Sequence, residues 1–226
     1  MEEEKEDDDD DVPRLSSHAL QALQEYMLEQ RGQEGEGDGE ESGMVTEDWR
    51  MSQFWYDAST SACLAAEIHH VSASQPQFRV ACIACPSIFV ELKKSFPGVS
   101  AHLFEYDHRF GKYGSDFTFY DYNQPLDLPQ QHAQGFDTVV ADPPYLSKEC
   151  FEKTAQTMKH LAKDPQSSQL LVLTGAVQRE VVWLSLGAQP CVFRPVHRNK
   201  LGNEFMLFTN YDPVDRLGGW ESTKGL

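Results

Sequence analysis

An apolar run that ends in two prolines constrains the fold of this chain more than any other feature. Residues 136–145 read FDTVVADPPY, in which apolar and β-branched residues follow one another without alternation. Such a run is typical of a strand buried on both faces of a parallel sheet. Asp142, Pro143, Pro144 and Tyr145 stand at its carboxyl end, where open α/β sheets bind their ligands. The sequence therefore predicts a buried parallel strand that delivers these four residues to a binding site.

Strand and helix patterns alternate on either side of this run. We predict seven strands, over residues 78–84, 99–105, 117–121, 138–142, 170–174, 192–193 and 204–209. Helical patterns cover about 59–71, 87–96, 147–162 and 176–186. This alternation predicts an α/β, doubly wound and mostly parallel seven-stranded sheet of Rossmann-like type. The last two strands leave no room for a crossover helix, so we expect them to form an antiparallel hairpin at the sheet edge.

The charges are concentrated at the amino terminus. Residues 1–48 contain 18 of the 36 acidic residues and three bases, whereas the net charge of the whole chain is −17. We therefore predict an acidic arm over 1–43, with one short helix at 15–30 and a disordered glycine- and acid-rich linker at 31–43. The folded domain is expected over 44–226. Because the arm repels nucleic acid and attracts basic proteins, nucleic acid is an unlikely partner.

The cysteine content and the absence of long apolar runs bound the compartment. The five cysteines are an odd number, Met1 is followed by acids, and no apolar run approaches the roughly 20 residues of a membrane span. We expect a cytoplasmic protein with free thiols and no membrane association. The Cys82-x-x-Cys85 pair leaves a redox function open. No metal is expected, because the other three cysteines are isolated in sequence.

The strand order, the DPPY tetrapeptide and the terminal hairpin together resemble the class I methyltransferases, which use S-adenosylmethionine. DPPY fits the D/N-P-P-Y/F/W motif of their amine-methylating branch. Methyl transfer from a sulfonium needs an aligned amine and the exclusion of water rather than a nucleophilic side chain. Asp142 and the Pro143 carbonyl can each accept an amine N–H, Pro144 stiffens the turn, and Tyr145 can stack on the acceptor. A tight turn without chemistry is the alternative.

Candidate cofactor contacts follow two further strands. Glu105 ends the second strand and is placed to accept hydrogen bonds from both ribose hydroxyls, with Asp107 as the second candidate. Asp121 follows the third strand and is a candidate acceptor for the adenine amino group, beside which Tyr122 can flank the ring. Acidic residues at successive strand ends favour a site over solvated loop charge.

The turn after the first strand is atypical for this resemblance. Ala84, Cys85 and Ser87 replace the usual glycine-rich turn, although their small size still lets the backbone approach a ligand. Phe54 and Trp55 lie in a run of three aromatic residues, 54–56, near the start of the domain. They either cover the cofactor or pack the linker against the domain.

Seven segments together resemble the elongation factor 1-alpha lysine methyltransferase 1 family, over about residues 12–212. They are SQFWY (52–56), ACPS (84–87), FEYDHRF (104–110), FYDYNQPLDLP (119–129), FDTVVADPPYLSKEC (136–150), LTGA (173–176) and NEF (203–205). The resemblance implies N-methylation of a lysine ε-amine on translation elongation factor 1-alpha, with S-adenosylmethionine as donor. The family was formerly labelled N6-adenine-specific DNA methyltransferase because of its DPPY.

Three alternatives stay open at this point. An N6-adenine methyltransferase acting on DNA or RNA must extrude its base and contact phosphates, which a near-neutral domain with an acidic arm disfavours. A non-catalytic binding module is supported by the atypical turn at 81–87. A thiol oxidoreductase would use Cys82 and Cys85.

Overall fold

The computed structural model describes residues 44–72, 77–199 and 202–222. All of them belong to one compact unit, Gly39–Leu226. The acidic arm, its helix at 15–30 and its linker at 31–43 lie outside the described residues.

The domain is built on one seven-stranded sheet in the order β3-β2-β1-β4-β5-β7-β6. Its strands are β1 (Arg79–Ile83), β2 (Ser100–Glu105), β3 (Phe117–Phe119), β4 (Thr138–Ala141), β5 (Gln169–Gly175), β6 (Gln189–Pro190) and β7 (Phe205–Thr209). Strand β7 runs antiparallel to both of its neighbours, and the pairs among β1 to β5 are parallel. The predicted α/β sheet with an antiparallel edge hairpin is confirmed.

Four α-helices accompany the sheet within the described ranges. They are α1 (Ala58–Ser72), α2 (Pro86–Ser95), α3 (Lys148–Leu161) and α4 (Arg179–Leu186). Short 3₁₀ helices cover Trp49–Met51, His108–Asp116, Gln130–His132, Ala176–Gln178 and Val214–Leu217. The Ser147 hydroxyl caps α3 by accepting from the Cys150 N–H at 3.2 Å. No helix in these ranges combines the length and apolarity that a membrane crossing requires.

Side chains of β1 alternate between two apolar cores. Val80 and Cys82 pack with α1 and α2 on one face, and Ala81 and Ile83 pack with α3 and α4 on the other. All four are fully buried. Burial on both faces explains the continuous apolar pattern of the central strands, because each full-sized apolar side chain buried contributes about 1.5–3 kcal/mol.

The sixth strand differs from the prediction. It lies at Gln189–Pro190 rather than at residues 192–193. The Val192 and Phe193 N–H groups instead donate to the carbonyls of Gly219 and Leu217, at 2.9 and 3.1 Å. Residues 192–193 therefore pair with the carboxyl-terminal segment, a partner that the local apolar pattern does not reveal.

Candidate functional site

The carboxyl ends of β1, β2 and β4 bring three predicted site residues to one level of the sheet. Ile83 pairs with Phe104 on one side and with Ala141 on the other. The hydrogen-bond ladder then continues one residue further, because the Ala84 N–H donates to the Phe104 carbonyl and the Asp142 N–H to the Ile83 carbonyl, at 2.8 and 3.0 Å. Ala84, Glu105 and Asp142 consequently meet at the edge where α/β sheets bind ligands.

Two adjoining cavities open at this edge. The first measures about 530 Å³ including its mouth, and the predicted residues on its wall are Phe54, Trp55, Ala84, Cys85, Ser87, Glu105, Asp142, Pro143 and Pro144. The second measures about 800 Å³ on the same basis, and the predicted residues on its wall are Ala84, Glu105, Asp121, Tyr122, Pro144 and Tyr145. The cavities share Met51, Ala84, Glu105 and Pro144, so the strand ends line one continuous crevice.

Asp142 is an acid in an environment that disfavours its charge. Burial raises the pKa of Asp142 to about 8, the Tyr56 hydroxyl lowers it in part, and the charge of Glu105 raises it further. None of the ion pairs within the described ranges involves this carboxyl. Asp142 is thus held partly protonated near neutral pH, beside a cavity that a ligand can enter.

The Tyr56 hydroxyl lies against Asp142 and is fully buried. It meets no group in hydrogen-bond geometry among the described residues, yet it interacts electrostatically with the Asp142 carboxyl. The two groups are therefore close but not aligned, since an aligned bond would satisfy the hydroxyl. The Tyr56 ring packs against His197, with ring centroids 4.4 Å apart. Burial lowers the pKa of His197 to about 4, so this imidazole is neutral.

Glu105 has a similarly raised pKa, for a related reason. Burial raises the pKa of Glu105 to about 7; the Asp107 N–H, which donates to Glu105 Oε1 at 3.1 Å, opposes this rise, and the Asp107 charge adds to it. Two acids that form no ion pair with any described residue thus face one crevice. Such a pair favours a ligand that carries positive charge or several hydrogen-bond donors.

The turn after β1 has a backbone conformation that usually calls for glycine. Ala84 has φ +50°, a left-handed conformation that costs roughly 1 kcal/mol or more outside glycine. Pro86 then occupies the first turn of α2, where a missing N–H is harmless. The sequence therefore forms this tight turn without a glycine, and Ala84 lines both cavities with a small side chain.

Tyr145 forms part of the open rim. Its side chain is 45% exposed and meets Tyr122 edge to face at a centroid distance of 5.7 Å. Pro143, by contrast, is buried. The tetrapeptide thus runs from the cavity wall outward to the surface, and Tyr145 is available to a large partner.

Known proteins resemble this chain along most of its length. The family described as "Probable N6-adenine methyltransferase" matches residues 47–213. EEF1A lysine methyltransferase 1 from Homo sapiens is 44% identical over 206 residues, covering 89% of this chain and 94% of the human protein. The Gallus gallus protein of the same name is 46% identical over 208 residues, covering 89% and 95%. This chain belongs to the EEF1A lysine methyltransferase 1 family.

More distant relatives carry related names. A protein-lysine N-methyltransferase from Drosophila melanogaster is 33% identical and covers 88% of this chain and 94% of its own length. The solved structure of a TehB-like SAM-dependent methyltransferase from Corynebacterium glutamicum aligns over 85% of this chain and 97% of that chain, with 13% identity and a TM-score of 0.45. That likeness is too low to carry a functional argument.

Asp107 differs in placement from the other predicted residues of this family member. It lines neither cavity, and its carboxylate accepts from Arg109 Nε at 2.9 and 3.0 Å and from Gln53 Nε2 at 2.8 Å. It also caps the 3₁₀ helix His108–Asp116, because the Arg109 N–H donates to Oδ1 at 2.9 Å. Glu105 is therefore the acid of this strand end that reaches the crevice.

Sequence reasoning missed several residues of this crevice. Gln53, Tyr56, His197 and Phe205 contribute to the first cavity or lie directly behind it. Gln53 and Tyr56 belong to the SQFWY segment, which the sequence analysis singled out only for Phe54 and Trp55. No local signal points to His197, because its neighbours in space come from distant parts of the chain.

Cys82 and Cys85 of this family member are unsuited to redox chemistry. Cys82 and Cys85 are both buried, and burial raises the pKa of the Cys85 thiol well above its usual range. Reactive cysteines need an accessible thiolate with a lowered pKa. No group of three or more potential metal ligands is found across residues 44–72, 77–199 and 202–222.

Proposed function

We propose that this chain transfers a methyl group from S-adenosylmethionine to a lysine of translation elongation factor 1-alpha. The observation that carries the proposal is the Asp142 carboxyl, which lies at the end of β4 on the wall of the first cavity, opposite Glu105. The names of relatives that cover about 90% of the chain supply the lysine acceptor and the protein substrate.

The residues of the crevice suit S-adenosylmethionine. Glu105 offers two carboxylate oxygens for a ribose diol, Asp121 and Tyr122 lie on the second cavity for the adenine, and Ala84 allows close approach of the backbone. Phe54 and Trp55 form an apolar part of the first cavity, with Cys85 and Ser87 opposite in the turn. When bound, the cofactor supplies an electrophilic methyl group on a positively charged sulfur, and that charge complements two acids that lack a cation in ion-pair contact.

Asp142, Pro143 and Tyr145 suit a lysine amine. Asp142 and the Pro143 carbonyl accept two N–H groups, which directs the remaining lone pair into the crevice. Tyr145 lies at the rim, where it can pack on the methylene chain of the lysine, and Pro144 stiffens the turn. The same burial that raises the pKa of Asp142 also disfavours the ammonium form of an entering lysine.

This environment addresses the main energetic demand of the reaction. A free lysine has a pKa of about 10.4, so its deprotonation near neutral pH costs roughly 4–5 kcal/mol. A fully ionised Asp142 would stabilise the ammonium and oppose that step. Because Asp142 is only partly ionised near neutral pH, it can hold the amine with less resistance to proton loss.

An N6-adenine methyltransferase is the second candidate, favoured by the description of the matching family. An exocyclic adenine amine presents two N–H groups to Asp142 and Pro143 much as a lysine does. The net charge of −17 opposes binding to a polyanion.

We further propose a cytoplasmic location and a catalytic domain over 44–226, with 1–43 as a separate acidic arm.

A labelling experiment tests the proposed function. The full chain is incubated with radiolabelled S-adenosylmethionine and, separately, with purified elongation factor 1-alpha, duplex DNA, single-stranded DNA or RNA. Label is expected on the protein alone, at a lysine identified by mass spectrometry. Asp142→Ala should abolish transfer, whereas Asp215→Ala, at an exposed acid in the 3₁₀ helix Val214–Leu217, should not. Label on nucleic acid but not on the factor would replace this proposal with the second candidate.

A further inference from the structure

A buried polar network lies behind the wall of the first cavity and serves no part of the amine site. Gln53 Nε2 donates to Asp107 Oδ2 at 2.8 Å, and Arg109 Nη2 donates to Gln53 Oε1 at 3.0 Å. Arg109 Nε closes the triangle on Asp107 Oδ1 at 3.0 Å. Gln53 and Asp107 are 5% and 4% exposed, so water cannot readily replace these bonds.

The network joins a segment without sheet pairing to the sheet. Residues Met51–Trp55 all line the first cavity. They run from the last residue of the 3₁₀ helix Trp49–Met51 to the residue before Tyr56, which forms an isolated β-bridge. The Ser52 backbone is left-handed, at φ +54°, which is unfavourable without support from neighbouring groups. The side chain of Gln53 therefore supplies a direct link from this cavity wall to the end of β2.

The same network fixes the acid that faces the ribose position. Asp107, held by Gln53 and Arg109, donates its backbone N–H to Glu105 Oε1 at 3.1 Å. A shift of Asp107 would therefore move both the cavity wall and the orientation of Glu105. The arrangement places one hydrogen-bonded unit behind two sides of the first cavity.

We propose that Gln53 and Asp107 are positioning residues, which hold segment 51–55 and Glu105 in the geometry that binds the methyl donor. The inference rests on the proposed function, because the donor is taken to be S-adenosylmethionine. Hydrogen bonds to an ionised carboxylate are about twice as strong as neutral ones, so the network can order a segment that has no sheet pairing. A segment that is ordered only part of the time lowers the apparent affinity by the fraction of time it is competent.

Calorimetric titration of the full chain with S-adenosylhomocysteine tests the effect on affinity. Gln53→Leu keeps the size of the side chain and removes its three hydrogen bonds, which include the one that Oε1 accepts from the Asp48 N–H at 3.0 Å. We expect its Kd to rise about tenfold or more. Gln169→Leu is the matched control. Gln169 also accepts a side-chain hydrogen bond, from Thr138 Oγ1 at 3.1 Å. It is the first residue of β5, so it lies at the amino-terminal ends of the parallel strands, away from the cavities. Its Kd should equal that of the wild type.

Hydrogen exchange without ligand tests the positioning itself. The amides of residues 53–55 should exchange faster in Gln53→Leu than in the wild type and in Gln169→Leu. Arg109→Met, at a more exposed side chain, should act in the same direction and provides a second variant if Gln53→Leu does not fold. Unchanged exchange, or faster exchange with an unchanged Kd, would overturn the inference. A wild type that binds no S-adenosylhomocysteine would refute the proposed function, while the exchange data would still judge the positioning.

Discussion

Glu105 in the crevice and Glu67, at the joint between α1 and the carboxyl-terminal segment, are both buried, and Asp142 is half-buried, yet these acids are stabilised in different ways. Glu67 on α1 is 2% exposed and accepts from Arg216 Nε at 2.6 Å, Arg216 Nη2 at 3.1 Å and the Tyr211 hydroxyl at 3.1 Å. Asp142 and Glu105 take part in no ion pair within the described residues. The pKa values of these two acids are raised to about 8 and about 7 instead.

This difference separates a structural acid from a functional one. An ion pair and three hydrogen bonds satisfy the buried Glu67 carboxylate oxygens, so Glu67 holds α1 to the carboxyl-terminal segment. An acid without a cation keeps its unsatisfied bonding capacity for a ligand and lowers the stability of the free protein. Substitution of a crevice acid should therefore lower turnover and spare stability, whereas substitution of Glu67 should lower stability and spare turnover.

The largest expected effect is the loss of turnover in Asp142→Ala, by roughly 10²–10³-fold, because the acceptor that orients the amine is removed. The free energy of unfolding should stay equal or rise, since a buried acid is lost. Asp142→Asn keeps a neutral acceptor and should retain more activity than the alanine variant. Radiometric assays and urea denaturation measure the two quantities. A marked loss of stability in Asp142→Ala would end the proposed contrast with Glu67.

Glu67→Gln should show the reverse pattern. We expect the free energy of unfolding to fall by about 2–3 kcal/mol, because Arg216 and Tyr211 lose a buried charged acceptor while Arg216 keeps access to water. Turnover per folded molecule should stay within about twofold of the wild type, as Glu67 lines neither cavity. Urea denaturation gives the first value, and assays scaled to the folded fraction give the second. A turnover loss like that of Asp142→Ala would contradict this division.

The pH dependence of stability should report the unpaired acids. A carboxyl with a raised folded-state pKa binds more protons when folded, so its stabilising effect is lost as pH rises through that pKa. For Glu105 and Asp142 this predicts a falling melting temperature between about pH 6.5 and pH 8 in the ligand-free protein. Above pH 6.5 the buried histidines have no effect, because burial lowers the pKa of His102 and of His197 to about 4.

Asp142→Asn serves as the control for that pH effect. Its melting temperature should fall less than that of the wild type over the same interval, because one of the two titrating groups is gone. Turnover of the wild type should rise through the same range, because ionised Asp142 is a stronger acceptor for the amine N–H groups and this gain outweighs its stabilisation of the ammonium. Parallel melting curves for the two proteins would assign the effect elsewhere.

Tyr56→Phe should give the smallest effect. It removes the hydroxyl that lowers the pKa of Asp142 and keeps the ring against His197, so the rise of turnover with pH should move to higher pH, with a loss of about two- to fivefold at neutrality. Tyr211→Phe removes a buried hydroxyl from the paired acid Glu67 and should change stability without moving the pH profile. An unmoved profile in Tyr56→Phe would show that this hydroxyl does not influence Asp142.

Local sequence patterns predicted most of the fold. The uninterrupted apolar run of β4, the cap at Ser147 and the alternation of strands and helices each depend on residues close in sequence, so the elements and their order were predictable. Strand β6 was the exception. Its limits depend on the carboxyl-terminal segment, which pairs with Val192 and Phe193 and leaves Gln189–Pro190 to the sheet.

The site divides along the same line. The sequence by itself placed Asp142, Glu105 and Asp121 at strand ends, since parallel strands must end at a shared edge. Only the tertiary structure decided which acids face the crevice without a cation and which are paired. Asp107 is bound by Gln53 and Arg109, and Tyr56 meets His197 across most of the chain. Pairing and burial arise from contacts between segments that are distant in sequence, and local sequence patterns do not show which segments meet.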